Sequence, residues 1–316
     1  MKKLDVVLSA DERYAEHLSV VLVSTLMNCS DPGRIRFTIL DGGLHPETAD
    51  RLSALVEGYG ANMVLSSQSQ ALYQNFPVNA ERMSVAAYYR ISIAEILPSD
   101  VARALYLDCD LVIERDILEL VTFSIDHDMA VAAVEDISRT PAYQRLDIPP
   151  HHYFNSGVLL LNLPYWRRHS IGEQVRQFKD RFAEKLTTND QCALNGVLWD
   201  RWVRMPLLWN QQSGVYRRRM RRSGITGYSE ADFRQAIKSP GIIHYVGARK
   251  PWGAVCPHPL RDRYHYYRAR TPWPYRRKAS MSEYLVRVRK AHHYLKGAYY
   301  RRQYVGGAGG RGQSPN

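Results

Sequence analysis

Asp108 and Asp110 stand one residue apart in ARALYLDCDLVIERD (residues 102–116), where an apolar run climbs to Leu107 and resumes at Leu111. Strand geometry gives side chains a period of two, so both carboxylates point one way and Cys109 the other. Two carboxylates held together repel unless a cation sits between them. A hard divalent ion with a substrate phosphate as co-ligand satisfies that arrangement. The competing reading is a surface turn, since roughly one D-x-D is expected by chance in a chain this long. A second copy, Asp126-His127-Asp128, precedes its apolar run instead of ending one and is read as such a turn.

Other candidates lie at similar places. SADERY follows the first apolar run and puts Asp11 at the start of a helix. FNSGVLLLNL offers Asn155, whose amide both donates and accepts, and Gly157, which allows close backbone approach; a turn explains Asn-Ser-Gly as well. NDQ sets Asp190 and Gln191 at a helix beginning, where capping accounts for one of them but not readily both. HYVGARKPW holds His244 as a nitrogen ligand, Gly247 for a tight turn, Lys250 for a phosphate, and Trp252. Against this, a lone histidine is more often structural than ligating. Ligands of open α/β sheets bind beyond the carboxyl ends of the parallel strands. Carboxylates, a lysine, a helix start and amides gathered there suit a nucleotide diphosphate bearing a polar group. No G-x-x-x-x-G-K-[ST] loop occurs, and no G-x-G-x-x-G turn stands between a strand and a helix. P-loop hydrolysis and ordinary nicotinamide chemistry are therefore disfavoured.

The elements that must position these residues begin with LDVVLS (4–9), a buried strand. ADERYAEHLSVVLVSTLMN reads as an amphipathic helix, and RIRFTIL (34–40) alternates as a strand. HPETADRLSALVEGYG reads as a helix closed by Gly58 or Gly60, and ANMVLS as a third strand. That order implies an α/β fold with a mostly parallel central sheet flanked by helices. SVAAYYRISIAEIL (84–97) reads as helical, ARALYLDCDLVI as one strand, and MAVAAVED (129–136) and NSGVLLLNL (155–163) as two more. TTNDQCALNGVLW (187–199) opens a helix with a polar cap.

Taken in order, SADERY, SVAAYYR, YLDCDLVI, YFNSGVLLLNL, NDQCALN and HYVGARKPW resemble the motifs of glycosyltransferase family 8. That family contains bacterial lipopolysaccharide galactosyl- and glucosyltransferases and is related to glycogenin. The resemblance covers about residues 4–253. It implies a GT-A fold, the Rossmann-like nucleotide-diphospho-sugar transferase architecture, with a catalytic domain over residues 1–260. It further implies retaining transfer of galactose or glucose from a UDP-hexose to a saccharide acceptor, with Mn2+ or Mg2+, in lipopolysaccharide or other cell-surface glycan synthesis. Carried over position by position, Asp108, Asp110 and His244 would ligate the metal. Asp11, Tyr14 and the backbone near Ser9 would hold the uridine, and Lys250 and Gly247 would contact the diphosphate. Arg90, Asp136, Asn155, Asp190 and Gln191 would surround the donor sugar. Arg82-Met83 departs from a common His-Ile pattern, and Arg13 stands where a smaller polar residue is frequent. Two other functions compete. A sugar nucleotidyltransferase normally needs a Gly-rich basic loop after its first strand, and SADERYAEHL has no glycine. A non-catalytic glycan- or polyanion-binding protein could keep the same fold.

Composition bounds the remainder. The 316 residues are 45% hydrophobic and 23% charged, as in a soluble globular protein. No apolar run approaches the roughly 20 residues of a membrane span. MKKLDVVLSADER reads as a first strand and not a signal, because Asp5 interrupts its short apolar run. Cys29, Cys109, Cys192 and Cys256 lie far apart, which suits a reducing, cytoplasmic compartment. The net charge of +12 belongs to the end of the chain, where residues 261–316 hold 14 Lys/Arg against 2 Asp/Glu. There RDRYHYYRARTPWPYRRK mixes cations with aromatics, MSEYLVRVRKAHHYLKGAYYRRQY reads as a basic amphipathic helix, and GGAGGRGQSPN reads as disordered. An anionic membrane surface is the favoured partner of 261–316, over a solvated tail and over nucleic acid. With the lipid-linked acceptors that the resemblance implies, the expectation is peripheral association with the cytoplasmic face of an inner membrane, where a glycan or glycolipid acceptor is met.

Overall fold

A computed structural model describes residues 3–68, 73, 85–137, 142–186, 189–222, 224–273, 299 and 302. Its strands are β1 (Leu4–Ala10), β2 (Ile35–Asp41), β3 (Asn62–Ser67), β4 (Arg103–Leu107), β5 (Leu111–Ile113), β6 (Val131–Glu135), β7 (Phe154–Asn162), β8 (Trp202–Arg204), β9 (Gln211–Gln212) and β10 (Ile242–His244). Along β1, Val6 and Leu8 enter one core while Val7 enters another, which requires apolar layers on both faces of the sheet. The strand alternation of β4 does the same, with Leu105 and Leu107 on one side and Ala104 and Tyr106 on the other. The resulting sheet has the order β3-β2-β1-β4-β7-β6-β8, and β7 alone runs antiparallel to its neighbours. A smaller sheet, β5-β10-β9, lies beside it.

Three expectations need correction. ARALYLDCDLVI is two strands in different sheets, since the Asp108 amide donates to Gly157 O on the β7 side while Asp110 O accepts from Tyr245 next to β10. The aspartate pair is therefore the bend where the chain changes sheets. The segment read as a helix over 84–97 is a 3-10 helix over Val85–Ser92 followed by one α-turn, Ile93–Ile96. Burial of Tyr88, Tyr89, Arg90 and Ile91 in succession outweighs any preference for regular α geometry. The first helix, Ala15–Met27, is buried nearly all round instead of amphipathic, because the small sheet covers the face turned from the large one. The second D-x-D, Asp126 to Asp128, is exposed in a turn, as its position implied.

The chain packs as one body well past residue 260. Helix Arg261–Arg268 buries Tyr264 and Tyr267 against Val20 and Val23 of the first helix, and Arg268 pairs with Glu16. Trp273 still touches the main core. The basic amphipathic helix expected from Met281 onward lies outside the described residues apart from Tyr299 and Arg302, and GGAGGRGQSPN lies wholly outside them. Between the two helices His17 Nδ1 sits 2.7 Å from the Tyr264 hydroxyl, and its ring stacks 3.6 Å from Trp252. Burial lowers the His17 pKa from an ordinary 6.5 to about 4. Across that interval the unfolded chain binds a proton that the folded chain refuses, so stability falls as pH drops and is retained above it. The loss is expected to reach about 3 kcal/mol by the bottom of the window. Urea midpoints measured between neutral pH and pH 4 should fall steeply for the native chain and less steeply for His17→Gln; parallel profiles would refute the assignment.

Candidate active site

The cavity opens where the parallel strands end. After β1 the chain turns at Asp11, whose carboxylate accepts from the Tyr14 amide at 3.3 Å and so starts the short 3-10 turn Glu12–Tyr14. Arg13 reaches back to the same carboxylate at 2.9 Å. Tyr14 stands edge-on to Trp252 with centroids 6.1 Å apart, and the Ser9 hydroxyl bonds Ala86 O. Of these, Ser9, Asp11, Tyr14 and Ala86 line the cavity.

At the bend after β4, Asp108 accepts from Arg90 Nη2 at 2.7 Å and from the Tyr106 hydroxyl at 2.9 Å. Asp110 pairs with Lys250 and lies 3.2 Å from His244 Nε2. Burial works against its charge, but Lys250 and His244 outweigh burial and hold its carboxyl well below the usual carboxylate range. Cys109 turns away, with Sγ 3.3 Å from Ser9 O, and burial with the flanking carboxylates pushes its thiol pKa well up. Such a thiol is no nucleophile.

One donor atom from each of Asp108, Asp110 and His244 lies within 4.8 Å of the others. The surroundings fit a cation. Asn210 Nδ2 donates to Asn155 Oδ1 at 2.8 Å, so Asn210 Oδ1 is left to accept from His244 Nδ1 at 2.9 Å. His244 Nε2 then faces the Asp110 carboxylate at 3.2 Å, and either a proton on that nitrogen or a cation must lie between the two. A metal ion resolves that contact, and the Asn210 bond is the kind that orients a ligating histidine. Gly157 leaves the space open: a Cβ there would strike the His244 ring and lie 2.7 Å from Asp108 Oδ2.

Opposite lies a buried polar network. Helix Asn189–Leu198 is clamped to β7 by Asn195, whose amide bonds both Phe154 N and Phe154 O. That clamp brings Asp190 and Gln191 to the cavity. Gln191 donates to Asp136 at 2.6 Å and accepts from Asn155 Nδ2 and the Ser156 amide, each at 3.1 Å. Asp190 meets Arg90 at 3.1 Å and the Ser156 hydroxyl at 3.3 Å. Burial pushes the Asp190 carboxyl above its ordinary range despite Arg90. Gly247 has φ +87°, a left-handed turn that suits glycine.

All thirteen site residues singled out from the sequence line this one cavity of about 530 Å3. Several neighbours were missed. Tyr106, Ser156 and Asn210 hold the singled-out groups in place, and Arg217 borders the cavity. A period of two back from Asp108 points to Tyr106, and the polar run Asn210-Gln211-Gln212 after LLW is unusual for buried chain. Nothing local marks Arg217. Arg82 and Met83 lie outside the described residues.

Residues 5–256 match the model of glycosyl transferase family 8, and the chain belongs to that family. The expected GT-A fold and hexosyltransferase class both stand. General stress protein A of Bacillus subtilis is 30% identical over 274 residues, spanning 85% of this chain and 94% of its own length. The lipopolysaccharide 1,3-galactosyltransferase of Salmonella typhimurium is 23% identical, covering 86% of this chain and 79% of its own. Among solved structures, galactosyltransferase LgtC in complex with donor and acceptor sugar analogues superposes with a TM-score of 0.77 at 25% identity, covering 86% of this chain and 98% of that one.

Proposed function

We propose that this enzyme transfers galactose or glucose from a UDP-sugar to a saccharide acceptor, with retention at the anomeric carbon, in lipopolysaccharide or other cell-surface glycan synthesis. The observation that carries the reading is the convergence of Asp108, Asp110 and His244 inside the cavity at the strand ends. A divalent ion held there, Mn2+ or Mg2+, supplies positive charge to the diphosphate as it leaves the sugar. Asp11, Tyr14 and the backbone near Ser9 hold the uridine. Lys250 and Gly247 take the diphosphate, with Lys250 exchanging Asp110 for a phosphate oxygen as charge builds there. Arg90 holds Asp108 and Asp190 in register. Asp190 stabilises the oxocarbenium-like sugar, while Asp136, Asn155 and Gln191 orient its hydroxyls.

Gln191 is a poor nucleophile: an amide oxygen is hardly basic, and this one already accepts two hydrogen bonds. Asp190 is likewise engaged by Arg90. Front-face attack, with a leaving phosphate oxygen taking the acceptor proton, is favoured over double displacement. The direct test mixes the chain with UDP-glucose, UDP-galactose and other UDP-sugars in Mn2+ and follows UDP. Metal-dependent release, abolished by EDTA, is expected from one hexose donor. Release from none of them overturns the reading, and pyrophosphate formed from UTP and a hexose 1-phosphate would indicate a nucleotidyltransferase.

No helix among the described residues is long and apolar enough to cross a membrane. We assign contact with the anionic cytoplasmic face of an inner membrane to the basic segment 261–316, seated on the body through Arg261–Arg268. Removing residues 274–316 should release the protein from phosphatidylglycerol-containing vesicles in a flotation assay. Undiminished flotation would rule the segment out.

A further inference from the structure

We propose that the acceptor is anionic and that Arg217 recognises its phosphate or carboxylate, an inference that rests on the transferase reading above. Three Lys/Arg side chains border the cavity. Arg90 is taken by Asp108 and Asp190, and Lys250 by Asp110. Arg217 is the one with no carboxylate partner among the described residues. It heads the run Arg217-Arg218-Arg219-Met220-Arg221-Arg222, in which, among the described residues, only Arg221 approaches an acid, Glu230, at 3.9 Å.

This run is fixed to the body. Gly214, Val215, Tyr216 and Met220 are buried, and the Tyr216 hydroxyl accepts from Gln211 Nε2 at 3.0 Å. A Cβ at Gly214 would come within 2.5 Å of Ile137 O, so the backbone rests directly on the end of β6. Gln212 adds two bonds to the same place, accepting from Ile137 N at 3.1 Å and donating to Glu135 O at 2.8 Å. Arg217 is thereby tied to the Asp136 end of the cavity. Ser9 lies near the end of β1 and Asp11 and Tyr14 follow it, and β4 and β7 separate that strand from β6 in the sheet.

Charge balance then selects the ligand. The diphosphate of the donor already has Lys250 to meet its charge, together with the cation that Asp108, Asp110 and His244 would hold. A neutral hexose at the Asp136 end leaves the Arg217 guanidinium without an ionic partner, since the Asp136 carboxylate is already bonded by Gln191. An acceptor bearing a phosphate or carboxylate supplies the planar, bidentate partner that arginine favours. The exposed Arg218, Arg219 and Arg222 extend the positive field outward and draw such an acceptor in.

The test is calorimetric titration of the full chain, saturated with UDP and Mn2+ so that the donor phosphate positions are filled. The probes are octyl β-glucoside, its 6-phosphate and octyl β-glucuronide. At least one anionic glycoside should bind about tenfold or more tightly than the neutral one, and which of them does so separates phosphate from carboxylate. Arg217→Gln should remove that preference, Arg217→Lys should keep part of it, and raised NaCl should weaken the anionic probe selectively. Equal or undetectable binding of the three probes, or a preference that survives Arg217→Gln, overturns the proposal. So does weaker UDP binding in Arg217→Gln, which would put the guanidinium on the donor, or weaker binding to phosphatidylglycerol vesicles with unchanged glycoside binding, which would make the run a membrane contact. Failure of the native chain to bind UDP with Mn2+ would instead overturn the transferase reading beneath it.

Discussion

Asp110→Asn is expected to slow Mn2+-dependent UDP release by about a thousandfold, the scale of losing a group that stabilises charge only as the bond breaks. Asp110 is the hub of the site: one oxygen faces His244 Nε2 at 3.2 Å and the other takes Lys250. Asparagine has nearly the same shape, and the backbone bond from Tyr245 N to residue 110 O is indifferent to the change. What disappears is the negative charge that holds the cation. The Mn2+ concentration for half-maximal rate should therefore rise as the rate falls, while circular dichroism stays native. Release by Asp110→Asn at the native rate and native Mn2+ requirement would end the metal assignment.

Arg90→Met should produce the largest loss of stability. Arg90 is 5% exposed and bridges two carboxylates, Asp108 at 2.7 Å and Asp190 at 3.1 Å. It also donates to Ser156 O at 2.8 Å and lies over the Tyr106 ring. Methionine replaces the volume and removes the charge, leaving the buried Asp190 and the half-buried Asp108 without the cation they share. Removing one partner of a buried ionic group costs roughly 3–5 kcal/mol. For a chain of this size that corresponds to a fall in melting temperature of roughly 5–15 °C. Adding Asp190→Asn to Arg90→Met removes one of the stranded charges and should recover part of the loss, so the two effects are non-additive. Melting of Arg90→Met within about 2 °C of the native chain would contradict the bridge.

The two variants probe different features. Asp110 was singled out by a local pattern: two acids one residue apart at the end of an apolar run. Arg90 entered only through likeness to a family motif, since nothing in SVAAYYR says that its guanidinium is buried between two acids from other elements. Even the Asp108–Asp110 geometry was inferred by a strand rule that does not hold there. The two acids share a side because the chain bends between two sheets, each holding one half of the bend.

From the sequence alone followed the alternation of strands and helices at the start, the acidic pair, the amides of FNSG and NDQ, and the charge excess after residue 260. These depend on side-chain type and on periods of two and of three to four, both of which are local. Only the folded chain decided that Asn210 orients His244, that Arg261–Arg268 packs on the first helix, and that Arg217 borders the cavity, ion-paired to no carboxylate among the described residues. Each of those joins residues from distant parts of the chain. Such contacts follow from the path of the backbone between sheets and not from any property of the residues taken in order.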